Sequence, residues 1–173
     1  MKKTIILVDV QNDYFTGGKC ELYDIEKTAA VAALLLEESR RNGDEVIFIQ
    51  HVNMNPNASF FGEGTKGCEI HDSVKPLSNE KIFIKHKPNS FYETGLDEYL
   101  RSKGISDLII CGMMTHMCID TTVRAAKELG YVVKLFENAC TTKSLNFDGE
   151  VFSAKTVHKV FMAALNGSFC EIC

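Results

Sequence analysis

Near its start the chain runs Thr4-Ile5-Ile6-Leu7-Val8-Asp9-Val10, apolar but for Thr4 and one carboxylate. A continuous run of this kind predicts a strand covered on both faces. Ile25 to Asn42 then sets Ala29, Ala30, Ala33, Leu34 and Leu36 against charges on the other side, and Gly43 stands where such a helix should stop. The alternation continues with strands at Glu45–His51, Lys81–Lys85, Asp107–Cys111 and Tyr131–Phe136. Gly95–Lys103, Met117–Leu129 and Gly149–Leu165 read as helices closed by Gly104, Gly130 and Asn166-Gly167, and Ser168–Ile172 reads as a short last strand.

Repeated strand-helix-strand units predict an α/β fold, a parallel sheet with helices on both faces, as one domain over residues 1–173. Sites in such sheets lie beyond the C-terminal strand ends, where the strand order reverses. That directs attention to the residues just after Val8, Ile84 and Ile110. The stretch Val52–Glu80 is too long for a plain connection and reads as a lid, a pocket wall or a subunit contact.

Composition narrows the function classes. The 173 residues are 45% hydrophobic and 24% charged, values of a globular protein and not of a disordered one. The net charge is −4 and the 19 Lys and Arg are scattered, which argues against nucleic acid as a partner. No apolar run approaches the roughly 20 residues of a membrane span. The basic start Met1-Lys2-Lys3-Thr4 is followed by an apolar stretch that Asp9 interrupts, with no small-residue cleavage site, so a signal peptide is not expected and a cytoplasmic location is. The seven cysteines are odd in number and irregular in spacing. Cys170 and Cys173 form one C-x-x-C without the strand-to-helix setting of a redox site, and free thiols are the expected state.

Three polar residues stand at three predicted strand ends. Asp9 near the end of an apolar strand is costly unless paired, and it reads either as a capping carboxylate or as a working one. The polar turn Gln11-Asn12-Asp13 follows it. Lys85 closes the third strand and reads as a solvated flank or as a partner for such a carboxylate, with Lys87 a competitor. Cys118 lies at the mouth of a helix, where N–H groups and the helix dipole lower a thiol pKa and can receive an oxyanion; the alternative is a small buried apolar residue. Together the three suggest a Cys nucleophile, an Asp base and an orienting Lys, which is acyl-transfer chemistry. His116 is two residues from Cys118 on the same tight turn, a poor position for a base, and reads as pocket wall. Phe15, Phe60, Phe61, Phe91 and Met117 read as pocket lining, subunit contact or core.

At these residues the sequence resembles the isochorismatase-like cysteine hydrolases, the superfamily of nicotinamidase and N-carbamoylsarcosine amidohydrolase. The resemblance is carried by Asp9-Val10-Gln11-Asn12-Asp13-Tyr14-Phe15, by Lys85-His86-Lys87-Pro88-Asn89-Ser90-Phe91 and by the block from Cys111 to Ala126. It continues through Asn138–Thr142 and Val157-His158. It implies a three-layer α/β/α fold with a six-stranded parallel sheet in order 3-2-1-4-5-6, and a triad of Asp9, Lys85 and Cys118. It also implies a cis peptide at Met113-Met114, supported by Thr115, with the Met114 and Cys118 N–H groups as an oxyanion hole. In that order the third strand lies roughly 9–10 Å from the first, a gap a lysine can cover. Metal-binding relatives carry a D-x-H-P…H pattern after the second strand. Gln50-His51-Val52-Asn53-Met54-Asn55-Pro56 lacks its aspartate and its second nearby histidine, and the isolated His51 and His71 read as structural, so neither metal nor cofactor is expected. The expected activity is hydrolysis of a small amide or carbamoyl C–N bond through a thioester, in a homo-oligomer. The rival is a non-hydrolytic thiol sensor or small-molecule binding module.

Overall fold

The first strand, β1 (Lys3–Val8), is buried at every position after Lys3, as a strand covered on both faces must be. It is flanked by β2 (Glu45–His51) and β4 (Asp107–Met113), both parallel, so Ile5 pairs with Val46 on one side and Ile109 on the other. β3 (Lys81–Lys85) lies outside β2, and β5 (Val132–Thr141) outside β4. This computed structural model describes residues 3–173. Met1 and Lys2, part of the basic start noted above, lie outside the described residues. Two short strands, β6 (Leu145–Phe147) and β7 (Glu150–Phe152), form a separate antiparallel hairpin, and β8 (Glu171–Ile172) completes the main sheet. Its order is β3-β2-β1-β4-β5-β8, six strands, with β8 in the outer place expected of the sixth.

Helices pack around this sheet. α1 (Ile25–Asn42) buries Ile25, Thr28, Ala29, Ala32, Leu36 and Ser39, one stripe at helical spacing. It ends at Gly43 (φ 72°), whose N–H donates to the Arg40 carbonyl. α2 (Leu96–Ser102), α3 (Asp120–Glu128) and α4 (Ala154–Leu165) follow β3, β4 and the hairpin. Among the described residues no helix is long and apolar enough to cross a membrane.

Several expectations are corrected. The helix expected over Gly149–Leu165 begins only at Ala154, capped by the Ser153 side chain, which accepts from the Thr156 N–H. The residues before it turn at Asp148 (φ 50°) and Gly149 (φ 78°), a hairpin turn whose Asp-Gly signal outweighs helical periodicity. β5 runs on to Thr141, five residues past Phe136, because its register against β4 shifts between Ile110 and Gly112 and pairing resumes beyond the shift. At Gly112 (φ 126°) β4 lies close against β1: a Cβ there would lie 2.0 Å from the Val8 carbonyl oxygen. The helix expected from Met117 is preceded by one wide π-type turn, Thr115–Ile119, before α3.

Val52–Glu80 holds only two single helical turns and is tied to the polar turn after β1. Gln11 pairs with Ile70, the His71 N–H donates to the Val10 carbonyl at 2.9 Å, and the Phe61 N–H donates to Asp13 Oδ2 at 2.7 Å. A Cβ on Gly67 would sit 2.1 Å from Asp13 Oδ1, so only glycine lets this segment lie against that carboxylate.

Candidate active site

Asp9 follows the last residue of β1 in a left-handed conformation (φ 53°), unusual for a non-glycine residue and a form of strain that clusters at functional sites. Its N–H donates to the Ile49 carbonyl at 3.0 Å and its carbonyl accepts from Gln11, so the turn is held at both ends. Lys85, last residue of β3, reaches across β2 and brings Nζ to 2.8 Å from Asp9 Oδ2. Both side chains are 0% exposed. The solvated alternative for Lys85 is therefore overturned. Cys118, on the wide turn after β4, is buried, and its sulfur lies within 4.8 Å of an Asp9 oxygen and a His51 ring nitrogen. Chain-distant Asp9, Lys85 and Cys118 thus meet beyond the C-terminal ends of β1, β3 and β4.

The cluster is not internally satisfied. Among the described residues no backbone N–H caps either Asp9 oxygen; the carboxylate is held by the Lys85 ammonium at 2.8 Å, with the Cys118 thiol beside it. The Lys85 ammonium also donates to the carbonyls of Lys87 (3.2 Å) and Pro88 (3.3 Å). Burial works against its charge, but Asp9 and Cys118 outweigh burial and raise its pKa. The Cys118 thiol pKa is pushed far up by burial, and further by the Asp9 charge, against a lowering by Lys85. This reverses the expectation of a thiol activated by its helix mouth: desolvation prevails, and the resting sulfur carries its proton. Tyr14, fully buried and raised in pKa by burial and then by Asp9 and Cys118, stays a neutral phenol beside them.

His51 is the member that sequence reasoning left aside. It is the last residue of β2, paired with Lys85, and its Nδ1 is 3.1 Å from Lys85 Nζ and 3.9 Å from Asp9 Oδ2. The strand order was the available signal: a strand between β1 and β3 must put its own last residue under a lysine bridging them. Gln11 was also missed. Fully buried, its amide accepts from the His51 N–H at 2.8 Å and donates to the His51 carbonyl at 2.8 Å, holding the end of β2 beside β1. The carboxylate, imidazole and thiol of Asp9, His51 and Cys118 form a donor set that suits zinc in kind. Its cation is already supplied by the Lys85 ammonium, in contact with two of the three, and a divalent ion would meet that charge.

The remaining expected site residues separate. Phe60 and Phe61 do form an aromatic wall with Tyr14, with ring centroids 4.6 Å (Tyr14–Phe61) and 4.9 Å (Phe60–Phe61) apart, and Phe61 lies 6.0 Å from the His51 ring. Phe15 stacks on His71 at 3.5 Å, and Phe91 on Tyr131 at 5.8 Å. His116 bonds through Nδ1 to the Thr142 hydroxyl and lies beside Phe161. Met117 is 40% exposed. The peptide bond between Met113 and Met114 is cis. Thr115 is buried, its hydroxyl donating to the Thr141 carbonyl at 3.2 Å and lying 2.9 Å from His158 Nδ1.

A parallel α/β sheet with a buried Asp-Lys-Cys cluster at its switch point defines a class, and comparison with known proteins gives its family. The isochorismatase domain matches residues 3–166, and the chain belongs to that family. It is 45% identical over 172 residues to the isochorismatase family protein YddQ of Bacillus subtilis, covering 99% of this chain and 96% of that one. It is 27% identical over 168 residues to the ureidoacrylate amidohydrolase RutB of Pantoea ananatis, covering 78% and 67%. The crystal structure of an isochorismatase from Pseudomonas putida KT2440 superposes with a TM-score of 0.89 at 31% identity, covering 99% of this chain and 87% of that one.

Proposed function

We propose that the protein is a cysteine-dependent hydrolase of a small amide or carbamoyl C–N bond. What carries the reading is the buried Asp9 carboxylate: it is paired with the Lys85 ammonium at 2.8 Å, lies within 4.8 Å of the Cys118 sulfur, and takes no loop N–H on either oxygen. That is the state required of a general base, and a capping carboxylate would be saturated by loop N–H groups. The amidohydrolase relative supports the bond class.

Asp9 takes the Cys118 proton as Sγ attacks the substrate carbonyl carbon, and the backbone N–H groups of Met114 and Cys118 receive the oxyanion. Protonated Asp9 gives its proton to the departing nitrogen, and ammonia or an amine leaves a thioester on Sγ. Asp9 then deprotonates water attacking that thioester, and the proton returns to sulfur as the acid departs. Lys85 keeps the carboxylate in place throughout and balances the negative charge as it moves between oxygen and sulfur. The raised thiol pKa fits a proton that leaves only as the C–S bond forms, and it weighs against a redox sensor, which needs an exposed, low-pKa thiol. The reading includes a cytoplasmic homo-oligomer built from one domain per chain.

Incubation with a panel of primary amides, N-carbamoyl compounds and ureas, read by ammonia release and intact mass, tests it. Turnover with a transient acyl adduct on Cys118 is expected, lost in Asp9→Asn and largely kept in His116→Ala. An active Asp9→Asn beside a dead His116→Ala would move the base to His116, and a mass gain seen only with peroxide would replace the hydrolase by a sensor.

A further inference from the structure

We infer that His51 is a positioning residue of this site: its neutral imidazole accepts a hydrogen bond from the Lys85 ammonium and fixes that charge between Asp9 and Cys118. The consequence for turnover rests on the hydrolase reading; the contact does not. An ammonium has three N–H donors and no acceptor. Four acceptors surround Lys85 Nζ: Asp9 Oδ2 at 2.8 Å, His51 Nδ1 at 3.1 Å, and the Lys87 and Pro88 carbonyls of its own exit loop at 3.2 and 3.3 Å, the last two sharing one N–H. Because the lysine can only donate, Nδ1 must present its lone pair, and the ring proton sits on Nε2. Burial, then Lys85, lower the His51 pKa to about 4 against an opposing pull from Asp9, so the lone pair is present across the neutral range. At 3.9 Å from Asp9 Oδ2, Nδ1 is too far to share the Asp9 proton, which separates this role from that of a base.

The imidazole is itself immobilised. Its backbone is clamped on both polar groups by Gln11, and its ring lies against Phe61. Without that acceptor, Lys85 keeps only its own loop and Asp9, and a flexible four-carbon stem no longer has one place for its charge. Cys118 then loses a fixed cation, the influence that lowers its thiol pKa against burial and Asp9. Positioning of Lys85 thus sets how readily sulfur becomes a thiolate.

The test reads Cys118 directly and needs no substrate. The full chain is alkylated with iodoacetamide across a pH series, and the rate at Cys118 is followed by peptide mass for wild type, His51→Ala, His51→Leu and His51→Asn. The groups that face the thiol are Asp9 and Lys85, with Tyr14 beside both Asp9 and Cys118, and those that face His51 are Lys85, Asp9 and His86. Only His51 differs among the variants. His51→Ala and His51→Leu should slow Cys118 alkylation about tenfold near neutral pH and move its inflection up by about one unit. His51→Asn, whose side-chain oxygen can take the place of Nδ1, should recover to within about threefold of wild type. Wild-type profiles in His51→Ala or His51→Leu would overturn the inference, as would a His51→Asn as slow as His51→Leu, which would assign the effect to ring packing. His51→Leu keeps most of the buried volume, so the comparison survives a poorly folded alanine variant. Inactivity toward every amide would remove the hydrolase reading and leave this result standing.

Discussion

The ion pair on the flank of the sheet and the ion pair at its top are nearly equal in length and opposite in character. Arg40 meets Glu80 through two parallel contacts, Nε to Oε1 at 2.7 Å and Nη2 to Oε2 at 2.8 Å. It also donates to Glu37 and to the Lys75 carbonyl, while Glu80 accepts from the Leu77 N–H at 2.7 Å. Every party is satisfied, and the end of the long irregular segment is fastened to α1. Asp9 and Lys85 are more deeply buried, at 2.8 Å, yet beyond the Lys85 ammonium and the Cys118 thiol no group caps the carboxylate. A saturated pair serves stability, whereas an unsaturated buried carboxylate costs stability and retains the capacity to take a proton.

The largest break in that contrast is chemical. Cys118→Ala should lower amide turnover by about 10⁴-fold or more, with the acyl adduct absent from intact mass spectra, while the Arg40→Met variant turns over at the wild-type rate. Next come the stabilities. Asp9→Asn strands Lys85 in the interior and should cost about 3–5 kcal/mol in urea unfolding, and adding Lys85→Met should return most of it, since the pair as a whole contributes little net stability. Arg40→Met with Glu80→Gln should recover little, because the Lys75 carbonyl and Glu37 lose their donor whatever stands at position 80. If the two double variants behaved alike, the distinction between a working and a structural pair would collapse.

Much of the site could be read from the sequence because its parts are local. A carboxylate closing an apolar run, a lysine at a strand end and a cysteine at a helix mouth are each visible in a few residues. The order of the sheet came only through resemblance, since nothing in the run Lys81–Lys85 says which strand it borders. His51 and Gln11 stayed hidden because their roles are cross-strand: one lies under a bridging lysine, the other pairs its amide with a neighbouring backbone. The direction of the Cys118 shift was misjudged for a related reason. Proximity to a helix mouth shows in sequence, but desolvation is a property of the assembled interior. The second hairpin strand, β7, reads as the start of a helix although Asp148-Gly149 marks a turn, because Val151 and the helical residues after it extend one periodicity backwards.

The pH dependence of stability sharpens the comparison further. The folded-state pKa of His51 is depressed to about 4, below the ordinary histidine value. Folded protein therefore binds fewer protons than unfolded protein between roughly pH 6.5 and 4. The associated stability is fully present above the unfolded pKa and is lost as pH falls toward the folded one. Unfolding free energy should drop by roughly 3 kcal/mol over that window, and by clearly less in His51→Asn. The Arg40–Glu80 pair acts lower on the scale. Burial raises the Glu80 pKa but Arg40 holds it below the ordinary value, so that contribution persists above about pH 4.3 and fades only beneath it. Equal pH slopes in wild type and His51→Asn between pH 6 and 5 would mean that His51 titrates alike in both states.

A third pair places burial itself on trial. Lys134 and Glu171 join β5 to β8 at 3.3 Å with 48% and 65% of their side chains exposed. Water screens both charges, and ordering two long side chains cancels most of the attraction that remains. Lys134→Gln should shift the urea midpoint by an amount worth at most about 0.5 kcal/mol, with smaller effect still at high salt. Arg40→Met alone should cost about 1–3 kcal/mol, since its hydrogen bonds are charge-assisted and partly buried. Along the series Lys134, Arg40, Asp9, desolvation and not distance then orders the three pairs. A Lys134 variant as damaging as the Arg40 one would break that ordering, and would show that the β5–β8 seam depends on charge in a way its exposure denies.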